Sequence, residues 1–493
     1  MSALVPTDVP GERFVPLPER IRVHGRKTPA ATALIEGEAR VTWGELAARV
    51  DAIAGHLAAE GIGPGDVVAS LAGVTADHVA LYLGAVAAGA AIAPLPLSAH
   101  PDALARMLEN ARAARLFGDG AAPALPGLHP MPEGAGAPPR IDHSPDDLLD
   151  VIYSSGTTGA PKGIEHDARF RDRQIERFGA LGYGPGSVTL ISTPICSNTT
   201  LVSLLPALAQ GGTVVLQRRF DPEDWLALAE RHRVTHTMLV PVQYRRLLDH
   251  PAFDGADLAC FEMKFSTSAP FGAPMLREVL ARWPGRMIVV YGMTEGGVSA
   301  VLDAGAHPGK LHTVGRAAAN AEIRIVGDDG REVPVDEAGE VVGRAPAVML
   351  GYRGAPEATE ALVWRSPEGH AFMRTGDMGR LDADGFLTLL DRRRDMIVSG
   401  GFNVFASDLE DALEADAAVA EAAVIGVSSE RWGETPAAFV VLAEGATEDG
   451  LLERVNEGLG RTQRISALRT VPALPRSEIG KVLKRELREA WDV

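Results

Sequence analysis

The sequence predicts an α/β protein: a large N-terminal domain of layered α/β subdomains plus a β-rich subdomain, followed by a small α+β C-terminal domain. Three patterns carry that expectation. Short apolar runs alternate with helical stretches as far as Val290, short strands and turn residues take over from about Ala321, and a smaller unit with its own helix and strands begins after Asp395. In chain order, Leu46, Ala47, Val50, Ile53, Ala54, Leu57 and Ala58 follow the three-to-four spacing of an amphipathic helix, stopped by Gly61. An apolar strand follows at Val67–Leu71. Residues 79–101 hold no Asp, Glu, Lys or Arg, but they are rich in Ala and Gly and broken by Pro94 and Pro96. A spanning helix wants about 20 strongly apolar residues, so this stretch reads as a buried helix running into a buried strand.

Residues 118–145, rich in Gly, Ala and Pro, read as a surface connection, and Leu148, Leu149, Val151 and Ile152 as a buried strand. Further strands are expected at 188–192, 213–216, 237–240 and 287–290, with helical stretches such as 222–232 between them. Turns at 328–330 and 382–385 punctuate the β-rich part. Beyond it, Ser407 and Glu410 form a capping-box pattern before a helix, and 422–427 and 437–442 read as strands. No internal repeat is visible.

With 493 residues and 46% hydrophobic content the chain can build more than one core. Its 48 Lys and Arg against 65 Asp and Glu give a net charge of −17, which argues against a general nucleic-acid or anionic-membrane surface. Any phosphate site is therefore a local exception. Cys196 and Cys260 form neither a metal-ligand spacing nor a disulfide framework, and the N-terminus lacks a basic start followed by an apolar stretch. A cytoplasmic protein is expected.

The local exception is at Tyr153 to Gly163, YSSGTTGAPKG. Small residues let the backbone approach an anion, Ser154, Ser155, Thr157 and Thr158 supply hydroxyls, Gly156 and Gly159 supply freedom, and Lys162 supplies charge. The same composition suits a flexible linker, but an apolar strand leads in and Ile164 follows. A Walker loop is excluded, because Pro161 stands where its second glycine must be and Gly163, not Ser or Thr, follows the lysine. A second motif, YGMTEGG from Tyr291 to Gly297, follows an apolar strand, where ligand sites of α/β sheets lie. Further on come SAP at Ser268, Ala269 and Pro270, RTGDMG around Asp377, DRRRDMIVSGGFNVFASDLE from Asp391 to Glu410, and LPRSEIGKVLKREL from Leu474 to Leu487.

In this order the motifs resemble those of the adenylate-forming superfamily, in the style of stand-alone acyl-CoA or aryl-CoA ligases. The resemblance covers essentially the whole chain. It implies ATP, Mg²⁺ and coenzyme A as cofactors and a small carboxylic acid as substrate, with no nucleic acid and no membrane span, the chain acting alone or as a homodimer. It also implies roles. The 154–162 loop holds phosphate, Ser268, Ala269 and Pro270 contact adenine with Tyr291 and Gly292, Thr294 bonds phosphate and Glu295 binds magnesium. Asp377 holds the ribose hydroxyls, a task suited to an acceptor carboxylate, and Arg392 touches the ribose. Arg394 is the hinge between a large domain, 1–393, and a small mobile one, 394–493. Lys481 bridges carboxylate and α-phosphate, Gly400 and Gly401 open the thiol tunnel, and Trp432 lines the coenzyme A side. Ser197, Asn198, Met238, Val240, Gln243, Ser266, Gly297 and Val298 are the expected acid-pocket lining.

Four positions depart from the family's habit. Asp391 replaces a glycine, Arg394 a Lys or Asp, Ala168 a His, and Cys196, Ser197 and Asn198 stand where an aromatic or His is usual. His166 lies near the third. The resemblance leaves open an adenylation enzyme that loads a separate carrier protein, and a silent nucleotide-binding protein, against which the filled charged positions weigh.

Overall fold

A computed structural model describes residues 9, 12–134, 136–154, 162–392, 395–399, 402–429, 433–460, 463–477 and 480–491. The chain forms two compact units, Met1–Ile323 with Gly343–Met373, and Arg324–Val342 with Arg374–Val493. The α/β architecture and the smaller C-terminal part are as the sequence predicts. Compactness groups Arg374–Arg392 with the smaller unit, whereas the sequence reading ends the large domain at 393.

Two sheets organise the first unit. The nine-stranded sheet runs from Arg316–Ala317 through Ser299–Asp303, Arg286–Gly292, Met263–Ser266, His236–Leu239, Val188–Ile191, Thr213–Leu216 and Thr32–Glu36 to Ala39–Thr42. Its middle is parallel and its two edges antiparallel. The seven-stranded sheet runs Gly351–Tyr352, Lys162–Asp167, Leu148–Ser154, Ala91–Pro94, Val67–Leu71, Arg115–Gly118, Leu128–Pro130. Parallel strands covered on both faces need unbroken apolar runs, and Val67–Leu71 is buried at every position. That is why periodicity located these strands so well.

The helix expected around Leu46 spans Trp43–Ala59, and its start is fixed by Thr42 and Glu45, which satisfy each other's backbone N–H groups. The charge-free stretch forms the buried helix Ala76–Ala87 and the strand Ala91–Pro94. No helix among the described residues is long and apolar enough to cross a membrane. The 118–145 connection contains one short strand, Leu128–Pro130.

In the second unit the strand Gly433–Leu442 pairs antiparallel with Val419–Ser429 and parallel with Ala467–Thr470, covering the strands expected there. The expected capping box does not form. The helix Ala406–Glu414 starts after Phe405, Ser407 sits inside its first turn and donates to the Leu390 carbonyl, and Glu410 accepts the Val424 N–H at 2.8 Å and pairs with Lys484. A different carboxylate serves the helix start. Asp391 Oδ2 accepts the Ala406 N–H at 2.7 Å, so the residue standing at the expected glycine position caps this helix from the strand Leu387–Arg392, where negative charge suits the N-terminal dipole.

Candidate active site

The site of the first unit is built on two antiparallel hairpins. Strands Leu148–Ser154 and Lys162–Asp167 place Ser154 opposite Lys162, so the phosphate-loop sequence is the connection between them. Ser155, Gly156, Thr157, Thr158 and Gly159 themselves lie outside the described residues, as do Arg394, Gly400, Gly401 and Trp432; for Ser154 and Arg392 only the backbone is described. Tyr153, which leads into the loop, is buried and donates to the Met107 carbonyl and to Asn110, each at 2.9 Å. It anchors the loop's base.

The second hairpin joins Arg286–Gly292 to Ser299–Asp303 and carries YGMTEGG at its tip, with Tyr291 paired opposite Ala300. Gly296 and Gly297 both adopt left-handed φ, +70° and +69°. A Cβ on Gly296 would run into the Ala347 carbonyl and the Phe170 ring, so side-chain-free residues are required there. The Glu295 carbonyl and the Gly297 N–H bond to Met349 and Ala347 at 2.8 Å each. This turns the buried Glu295 side chain toward Tyr352, whose hydroxyl donates to Glu295 Oε1 at 2.8 Å. Lys162 Nζ lies 4.8 Å from the centre of the same ring. A lysine and a carboxylate from two separate motifs thus converge on one tyrosine.

Neither Tyr352 nor the network behind it was expected from sequence. Asp150 is wholly buried and accepts from Tyr82 at 2.6 Å and from Arg171 through Nε at 2.6 Å and Nη2 at 3.0 Å. His166 Nδ1 lies 2.7 Å from Asp150 Oδ1, and its Nε2–H donates to the Thr294 carbonyl at 2.7 Å. The charges of Arg171 and His166 outweigh burial and hold the Asp150 carboxyl far below the usual range; burial, with Arg171, pushes His166 down while Asp150 opposes it. Arg171 also donates to Asn198 Oδ1 at 2.6 Å. One buried ion pair therefore supports the Thr294–Glu295 motif on one side and Asn198, an expected acid-pocket residue, on the other. A single Asp inside the apolar run 148–152 is the sequence signal that could have found it.

Of the other expected pocket residues, Met238, Val240 and Ser266 lie at the C-terminal ends of neighbouring parallel strands. Leu239, next to Met238 and Val240, pairs with Ser266. Ser266 is buried and its hydroxyl has no partner among the described residues. Ser197 caps the helix Asn198–Ala209, and Thr199 in that helix bonds Ser268 at 2.6 Å, which ties the expected acid-pocket segment to the expected adenine turn. Ser268 takes a left-handed φ of +78°, unusual for a residue with a side chain; Ala269 and Pro270 follow it. Gln243 is engaged locally, its Oε1 accepting the Val240 N–H at 3.1 Å. Val298 is buried, and Gly297 packs so closely on Met373 that a Cβ would sit 2.9 Å from it.

In the second unit, Asp377 and Arg392 are direct cross-strand partners between Ala371–Leu381 and Leu387–Arg392. Two ribose candidates fifteen residues apart in sequence become neighbours. Lys481 follows Gly480, whose φ is +73°, in a turn closed by pairing of Arg476 with Val482; its N–H and carbonyl both bond Ser477.

The motifs thus sit at hairpin tips and strand ends of two mixed sheets, and the small α+β unit carries the turn-borne Lys481 ahead of its last helix, Lys484–Trp491. The AMP-binding enzyme family matches residues 21–353, and its C-terminal domain matches residues 408–481. The chain belongs to the AMP-binding enzyme family. It is 33% identical to a feruloyl-CoA synthase of Amycolatopsis sp over 94% of this chain and 97% of the relative, and 29% identical to the indoleacetate–CoA ligase of Aromatoleum aromaticum over 96% and 98%. The solved structure of ATP-bound MatB from Rhodopseudomonas palustris superimposes with a TM-score of 0.87 at 27% identity, covering 97% of this chain and 99% of that one. The o-succinylbenzoate CoA synthetase of Bacillus subtilis, holding its acyl-adenylate, gives 0.86 at 28%, covering 97% and 99%.

Proposed function

We propose that the chain is an ATP-dependent carboxylic acid:CoA ligase working through an acyl-adenylate, with an aryl or a short to medium aliphatic acid as substrate. The convergence of Lys162 and Glu295 on Tyr352 is the observation that carries this reading. A carboxylate attacking a polyphosphate must overcome charge repulsion, so the site needs a cation and a metal-binding oxygen side by side. Glu295 presents one carboxylate oxygen beyond its Tyr352 bond. No cluster of three His, Cys, Asp or Glu occurs among the described residues, which suits Mg²⁺, a metal commonly held by one or two carboxylates plus phosphate oxygens and water. When bound it would neutralise phosphate charge.

In this reading Lys162 holds the outgoing phosphates and Thr294, its carbonyl held by His166, bonds phosphate. The acid's oxygen attacks the α-phosphorus, the bond to pyrophosphate breaks, and Lys481 bridges acid and phosphate. Asp377 and Arg392 hold the ribose. The thiol of coenzyme A then attacks the acyl carbon and AMP leaves, with 394–493 moving about Arg394 between the half-reactions. A cytoplasmic setting accords with Cys196 and Cys260, neither in a disulfide.

Acid-dependent release of pyrophosphate from ATP, followed by coenzyme A-dependent release of AMP, tests the reading. A second reading, transfer to a carrier protein, has one observation in its favour: a fatty acid–[acyl-carrier-protein] ligase of Streptomyces coeruleorubidus is 29% identical over 95% of both chains. Pyrophosphate release without coenzyme A-dependent AMP release would favour it.

A further inference from the structure

The helix Ala168–Gly179 carries four arginines, and three of them meet a carboxylate. Arg169 pairs with Asp146 at 2.8 Å, Arg171 with Asp150 at 2.6 Å and Arg173 with Glu12 at 2.6 Å. Arg177 does not. Its Nη1 donates to the Ser299 hydroxyl at 2.7 Å and its guanidinium lies 4.9 Å from the centre of the Phe178 ring, with no carboxylate partner among the described residues. The protein around it pushes its pKa down to about 10 by burial alone, which leaves it charged at neutral pH. Yet part of its surface remains accessible. Arg177 is thus a deep but not fully buried cation.

The neighbours connect it to the expected site. Ser299 pairs directly across the hairpin with Gly292, an expected nucleotide-site residue. Phe178 packs edge-on against Phe265 at 5.8 Å, and Phe265 pairs across the parallel strands with Met238, an expected acid-pocket residue. An uncompensated buried charge costs several kcal/mol, and a partner that supplies the opposite charge recovers much of it. Three arginines of one helix matched to carboxylates, and a fourth with none among the described residues, leave that compensation to a ligand.

Resting on the ligase reading, we propose that Arg177 is a specificity-determining residue of the acid pocket. It selects carboxylic acids that bear an oxygen acceptor, best an anionic one, at the end remote from the reacting carboxylate. The acceptor replaces the missing counterion, taking N–H bonds from the guanidinium that Ser299 orients. An acid with an apolar end leaves the charge uncompensated and dehydrates it further.

The test is acid-dependent pyrophosphate release with matched acids: 3-phenylpropenoate against its 4-hydroxy and 4-carboxy forms, and hexanoate against hexanedioate. Wild-type kcat/KM should favour the carboxy and dicarboxylic members over the apolar ones by about 10- to 100-fold, with the 4-hydroxy acid between. Arg177→Met should erase or invert that order by lowering kcat/KM for the carboxy and dicarboxylic members and raising it for the apolar acids, and Arg177→Lys should keep the order. Equal loss for every acid in Arg177→Met, or apolar acids preferred by the wild type in both series, would overturn the proposal. Release of no pyrophosphate with any carboxylic acid would instead remove the ligase reading, and this proposal with it. Thermal melting of both variants checks that the order is read on folded protein.

Discussion

At the scale of single residues, Glu295 is the most exposed to test. Its carboxylate is held by one Tyr352 hydroxyl bond of 2.8 Å, so charge and orientation can be separated. Glu295→Gln should slow acid-dependent pyrophosphate release by about 10²- to 10³-fold and raise the Mg²⁺ concentration needed for half-maximal rate. Tyr352→Phe, which loses a single hydrogen bond, should cost about tenfold or less. An unchanged Mg²⁺ requirement in Glu295→Gln would remove the metal role. A second residue-scale effect is visible in pH. His236 is wholly buried with Nδ1 bonded to Thr235 at 2.7 Å, and burial holds its pKa down to about 4 from 6.5. Between those values the unfolded chain takes up a proton that the folded chain refuses. Its contribution to stability is therefore present above about pH 6.5 and lost as the pH falls through about 4. His236→Gln should remove about 2 kcal/mol of the stability lost between pH 7 and pH 5, read from urea midpoints at the two pH values.

At the scale of elements, the buried Asp150–Arg171 pair locks the strand Leu148–Ser154 to the helix Ala168–Gly179 and, through His166, to the Thr294 hairpin. Breaking a buried pair strands the remaining charge. Asp150→Ala should lower unfolding free energy by about 3 to 5 kcal/mol, whereas Arg231→Ala, which breaks the exposed pair with Glu38, should cost under about 1 kcal/mol. Comparable losses in denaturant titrations would show that the network carries no more than a surface pair. The same scale explains the failure of the Ser407–Glu410 reading. The capping-box pattern is local, but the acceptor that serves this helix, Asp391, comes from the strand Leu387–Arg392, fifteen residues before Ala406, and Glu410 is drawn away to Lys484 and the Val424 N–H. Local propensity lost to a tertiary partner.

At the scale of the whole molecule, the two half-reactions separate. Lys481→Ala should slow adenylate formation by about 10²- to 10³-fold while thioester formation from supplied acyl-adenylate survives largely intact, measured as pyrophosphate release and as coenzyme A consumption. Equal loss in both would sink the role proposed for Lys481.

What the sequence determined by itself was the class of fold and the order of its motifs. Buried parallel strands need continuous apolar runs and amphipathic helices need a three-to-four period, so both are written locally. The polar strings at Tyr153, Tyr291, Asp377 and Lys481 stand out because nothing apolar can be built from them. The tertiary structure alone decided which residues meet. Asp377 faces Arg392 only through strand register, Tyr352 joins Glu295 to Lys162 from a segment with no motif of its own, and of the four arginines on one helix three meet carboxylates elsewhere in the fold while Arg177 meets none among the described residues. Partnership across tens or hundreds of residues depends on how strands align and which faces pack, and no window of sequence carries that information.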